Sequence, residues 1–95
     1  MRVMLKAQTD AASGNRALAD GTMGRLLGEL TETLRPEAVY IGPQDGKRTM
    51  LFFIELKDTS EIVKITEPFF EALDAEVDVW PVMTPAEVAE VVGAS

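Results

Sequence analysis

The chain has 95 residues, 46% of them hydrophobic and 26% charged, which suits one small domain with its own core and excludes a disordered chain. Sixteen acidic against nine basic residues leave a net charge of −7, and the densest basic pair is Lys47-Arg48, so nucleic acid and anionic membrane are not expected partners. Cys and His are absent, which excludes disulfides, thiol nucleophiles, zinc sites of the usual kind, His-ligated haem and the commonest general acid/base.

No apolar run approaches the roughly 20 residues that span a bilayer. Met1 leads into the first strand with no basic leader region or cleavage site, so a cytoplasmic single domain over residues 1–95 is expected. Residues 2–8 alternate, with Val3, Leu5 and Ala7 on one side and Arg2, Met4, Lys6 and Gln8 on the other, the period of a strand. Thr9 to Asn15 is rich in Ser, Gly, Asp and Asn and is expected to be a loop.

A helix follows and ends at Leu34-Arg35-Pro36, because proline disfavours helix in the residue before it. Met23, Leu27, Leu30 and Leu34 form its apolar stripe, beside a stripe of Ala17, Gly21, Gly24 and Gly28. Two accounts of the glycines stand: a helix that begins near Thr22 and tolerates two of them, or a flat ridge for close approach of a backbone or ligand.

A second strand is expected over Glu37 to Ile41, then a hairpin turn at Gln44-Asp45-Gly46-Lys47, then a third strand from Arg48 to Leu56. The next helix is expected to be capped by Thr59 or Ser60 and to carry Ile62, Ile65, Thr66, Phe69 and Leu73 inward, with a break at Pro68. Val77 to Val82 makes a fourth strand. Thr84-Pro85-Ala86-Glu87 has the pattern of a capping box, opening a short helix that ends near Val92 and shows Val88, Val91 and Val92 on one side.

This order predicts an α+β, ferredoxin-like βαββαβ fold with an extra C-terminal helix, its four-stranded antiparallel sheet covered by helices on one face. Right-handed crossovers put the first and third strands at the centre. The covered face would take Val3, Leu5, Val39, Ile41, Phe52, Ile54, Val77 and Val79. The other would take Met4, Lys6, Gln8, Tyr40, Leu51, Phe53, Glu55, Asp78, Trp80 and Val82, too apolar a set to face water. A second copy, sheet to sheet, would cover it.

Gly14-Asn15, Asp20-Gly21, Arg35-Pro36-Glu37-Ala38-Val39-Tyr40, Gly46-Lys47-Arg48, Glu67-Pro68-Phe69 and Pro81-Val82-Met83-Thr84-Pro85 resemble the landmarks of a family of short uncharacterised bacterial proteins in the dimeric α+β barrel superfamily. The resemblance spans the chain and implies a homodimer through the open sheet face. The superfamily includes cofactor-free oxygenases, muconolactone-type isomerases, haem enzymes, cyclases and ligand-sensing modules, and several of its catalytic members depend on His, which this chain lacks.

Among candidate sites, Lys6 and Glu55 fall on neighbouring central strands, where a buried pair is either an acid/base couple or a self-satisfying ion pair. Met4, Phe53 and the sole Tyr40 and Trp80 either line a pocket for a flat ligand or pack a dimer. Asn15, with Arg16, at the opening of the first helix either holds an anionic or carbonyl ligand or simply caps. Glu67 is a carboxylate at the expected helix break. Glu55 and Asp78 are too few carboxylates for a metal site, and no cofactor is implied.

The expectation is a homodimer binding a small hydrophobic or aromatic molecule in the cleft between sheet and helices, through Met4, Asn15, Tyr40, Phe53 and Trp80. The alternatives are a cofactor-free monooxygenase- or isomerase-like enzyme with Lys6 or Glu55 as base, and a structural dimer with a packed barrel.

Overall fold

The computed structural model describes residues 1–93. Eight elements follow one another: β1 (Arg2–Thr9), α1 (Ala11–Ala19), α2 (Thr22–Leu34), β2 (Ala38–Gln44), β3 (Lys47–Glu55), α3 (Glu61–Leu73), β4 (Glu76–Pro81) and α4 (Pro85–Val92). The strands form one antiparallel sheet in the order β2-β3-β1-β4. This is the ferredoxin-like arrangement with a C-terminal helix added, and β1 and β3 are its central strands.

Period-two alternation in β1 and β3 drives Val3, Leu5, Ala7, Met50, Phe52 and Ile54 to one face, where all are buried. They pack against Ala17 of α1, Met23, Leu26 and Leu30 of α2, and Ile65, Phe69 and Leu73 of α3. Phe52 and Phe69 meet edge to face with ring centroids 5.4 Å apart, a geometry favoured by the ring quadrupoles. The Asp45-Gly46 turn between β2 and β3 has both central residues at positive φ, 55° and 74°, as a primed hairpin turn requires.

Several expectations need correction. The segment after Thr9 is not a loop. Asp10 caps α1 by accepting from the Ser13 backbone N–H at 2.7 Å, so the Ser/Asn/Gly-rich stretch is helical and Asn15 lies inside it. The local cap outweighs weak propensities. At Gly21, φ of 82° ends α1 and starts α2. Helix α2 starts at Thr22 and includes Gly24 and Gly28, and no other described part of this chain approaches either of them.

Helix α3 runs unbroken through Pro68. Ile65 and Phe69, on either side of it, are both buried in the same stripe, and the carbonyl that Pro68 cannot bond is that of the exposed Lys64. Ser60 makes no side-chain cap bond; instead Asp58 accepts from the Ser60 backbone N–H at 2.8 Å and from its hydroxyl.

On β2, Val39 and Ile41 alternate inward as expected but are 36% and 64% exposed. Helix α2 packs chiefly against α1 and α3, and the β2 edge is left uncovered.

Helix α4 buries none of its residues. The long axis of 53 Å and the radius of gyration of 14.9 Å, against about 12 Å for a compact domain of this length, reflect this projecting helix. Among the described residues, no helix is long and apolar enough to cross a membrane.

Pro68→Ala restores the missing donor inside α3. It is expected to raise stability by about 1–3 kcal/mol in a chemical denaturation curve; a loss would mean that the proline holds a bend on which the core depends.

Candidate functional site

The face of the sheet opposite the helices is built from cross-strand rows. Ala38, Phe53, Met4 and Trp80 pair across β2-β3-β1-β4, and the next row is Tyr40, Leu51, Lys6 and Asp78. The rings of Tyr40 and Phe53 meet edge to face, centroids 6.2 Å apart. Tyr40 is 63% exposed and Trp80 39%, while Met4, Leu51 and Phe53 are half-buried. The twist of the sheet makes this face concave, with a hollow of about 470 Å³ lined by Met4, Lys6, Tyr40, Leu51 and Trp80 among others.

One end of the hollow is a polar ledge. The Gln8 side-chain amide donates to Thr49 Oγ1 at 3.0 Å and to the Gln44 carbonyl at 3.2 Å. Thr49 donates in turn to the Lys47 carbonyl at 3.1 Å, and an ion pair of 3.4 Å between Lys47 and Glu76 closes over them. This explains why Gln8 and Thr49 are buried on a face otherwise open to water.

The expected residues divide into three groups. Met4, Tyr40 and Trp80 come together in the hollow, with Phe53 in the adjoining row. Lys6 and Glu55 do not meet: Lys6 is opposite Leu51 and Asp78, whereas Glu55 is opposite Arg2. Four residues of strand separate them, about 13 Å, and Glu55 bonds the N-terminal ammonium at 3.1 Å. Asn15 is on α1, on the helix side of the sheet and exposed, so it shares no surface with the hollow. Glu67 is exposed on the unbroken α3. Among the described residues, no group of three acidic side chains is placed to hold a metal ion.

Sequence reasoning missed Arg2. Its Nε donates to both carboxylate oxygens of Glu37 at 3.1 and 3.0 Å, and Nη1 donates to Glu87. Glu87 also completes the capping box of α4, accepting from the Thr84 backbone N–H at 2.8 Å while its own N–H donates to Thr84 Oγ1 at 3.1 Å. Arg2 therefore ties the base of the projecting helix to the first strand and to the entry of β2. The capping box was legible in the sequence; its guanidinium partner, 85 positions away, was not.

The bond from the Thr84 backbone, followed by that from Arg2, pulls the Glu87 carboxyl down from 4.5 to about 2. A carboxyl lowered on folding contributes stability above its unfolded value and loses it as pH falls through the folded one. The contribution of this contact should thus fade between about pH 4.5 and pH 2. Arg2→Met is expected to move the Glu87 titration midpoint upward in a carboxyl-detected NMR titration; an unmoved midpoint would leave the capping box alone responsible.

The chain matches no protein-family model, and no curated protein matches it in sequence, so the functional reading rests on the molecule's own geometry.

Proposed function

We propose that the protein acts as a homodimer whose two open sheet faces meet and enclose a small hydrophobic or aromatic molecule. The observation that carries this reading is the uncovered Phe53–Met4–Trp80 row with Tyr40 and Leu51 beside it. Apolar and aromatic residues gathered on one open sheet face make a patch of the kind that marks an interaction site. Leu51 and Phe53 are already half-buried and Trp80 is 39% exposed, so covering them would contribute a part of the roughly 1.5–3 kcal/mol that full burial of each is worth.

A second copy suits this face better than an unrelated partner. An isologous contact needs a self-complementary surface, and this one carries a cation, Lys6, beside a carboxylate, Asp78, with no ion pair between them within a protomer among the described residues. Across a two-fold axis each Lys6 can face the partner's acids. Four strands at their usual spacing give a flat footprint of about 450 Å², below the roughly 800 Å² per partner of a standard interface. The uncovered valines of α4, Val88 and Val91, offer the additional area. The resemblance to dimeric α+β barrels points to the same assembly.

Because the concave face closes on itself only partly, a hollow remains for a ligand. Tyr40 and Trp80 supply flat surfaces and polar tips, and Lys6 a single cation. Binding is favoured over a Lys6–Glu55 acid/base mechanism because the register holds those groups apart within one protomer.

Native mass spectrometry of gently purified protein is expected to show a dimer with a defined additional mass. Leu51→Asp should give a folded monomer without it, as read by circular dichroism and light scattering. A wild-type monomer at micromolar concentration would overturn the assembly. A dimer with no bound mass, and with Trp80 fluorescence indifferent to added aromatic compounds, would overturn the ligand.

A further inference from the structure

The helix-covered side of the sheet holds a second groove that the dimer reading does not use. Because no helix covers the β2 edge, Ile41 and Pro43 form one wall, Met50 the floor, and Leu18, Met23 and Leu27 the other wall, around about 310 Å³. Only Arg48 brings charge to this lining. Among the described residues Arg48 makes no ion pair and no hydrogen bond, although the chain has an excess of seven negative charges.

A second, independent feature lies under the same guanidinium. Thr9 is opposite Arg48 across β1 and β3 and is 1% exposed. Its hydroxyl is buried with no hydrogen-bond partner, an arrangement that costs free energy unless a partner arrives. Gly14 of α1 closes the corner: a Cβ there would be 2.7 Å from Thr9 Oγ1 and 3.0 Å from Arg48 Nη1. Glycine thus leaves room for Arg48 to pass over the buried hydroxyl and reach the lining of the apolar slot.

We propose that this groove binds a small amphiphilic carboxylate, a medium-chain fatty acid in chemical class, with its head on Arg48 and its tail between Met23, Leu27, Ile41 and Met50. A guanidinium matches a carboxylate in a fork of two parallel bonds. One cation balances one carboxylate; a phosphate would need more positive charge than this corner has. The volume is at the lower end for ligand pockets, which sets a short tail. The groove shares Ile41, Gly42, Pro43 and Thr49 with the open-face hollow, but Trp80 lines the hollow alone and Leu18, Met23 and Met50 the groove alone, so those residues tell a ligand here from the one proposed for the open face.

The test is an amide NMR titration of the wild-type chain with sodium octanoate and, separately, octan-1-ol. Octanoate should cause saturable shifts at Leu18, Met23 and Met50 while leaving the Trp80 indole unmoved. The alcohol, which keeps the tail and loses the charge, should bind at least about tenfold more weakly. Arg48→Met should cost a similar factor, whereas Thr9→Val, beneath Arg48 and outside the lining, should leave octanoate affinity unchanged while raising the thermal midpoint, since it removes an unpaired buried hydroxyl. Equal affinity for acid and alcohol, shifts confined to the Trp80 face, or no saturable binding would each overturn the proposal. The acid–alcohol comparison needs no variant, so it decides the matter even if Arg48→Met fails to fold.

Discussion

Strand β3 is apolar on both of its faces, and the helices cover only one. Met50, Phe52 and Ile54 are buried in the core, while Leu51 and Phe53 point the other way. A chain of this size has helices for one layer. Everything of functional interest follows from that mismatch. The inner face decides the fold, through hydrophobic burial against α1, α2 and α3, and the outer face is left uncovered by the described elements of this chain.

Coverage is incomplete on the inner face as well. Helix α2 packs chiefly against α1 and α3, and β2 is left without a covering helix, so Ile41 is exposed in spite of correct alternation. An edge left this way has two consequences. It opens a slot under the helices, and it places the β2–β3 hairpin, with Arg48 at its base, next to the start of α1. Gly14 matters here for the space it leaves and not for its backbone freedom, since it is an ordinary helical residue. At Gly21 the reverse holds: open space, with a positive φ that ends one helix and starts another.

Charge has a local structural role in a chain that is acidic overall. Arg2 draws Glu37 and Glu87 together at the start of β1, so the chain enters β2 and enters α4 beside one anchored point. Because α4 packs no residue into the core, this cluster and the capping box are the described interactions that orient it. Such surface contacts are individually weak. The helix therefore retains its internal order from local caps, while its placement relative to the sheet is only lightly held. That suits an element whose apolar side has no cover within its own protomer.

Local chemistry made much of this legible. Alternation assigned both faces of β1 and β3, Asp-Gly located the hairpin, and Thr-Pro-Ala-Glu located the last helix with its cap, because each of these signals is settled within a few residues. Where the signals were weak, context overruled them. One Asp10 cap made Ser13, Gly14 and Asn15 helical, and burial of Ile65 and Phe69 carried α3 through Pro68. The candidate site was half legible: Met4, Tyr40 and Trp80 shared a face by parity alone. Whether Lys6 meets Glu55 depended on register, which sets residues together or about 13 Å apart with no change in parity. The Arg2–Glu87 tie and the convergence of Thr9, Gly14 and Arg48 were decided only by the tertiary structure. They join residues tens of positions apart, and no local periodicity encodes a contact made when separate elements close on one another.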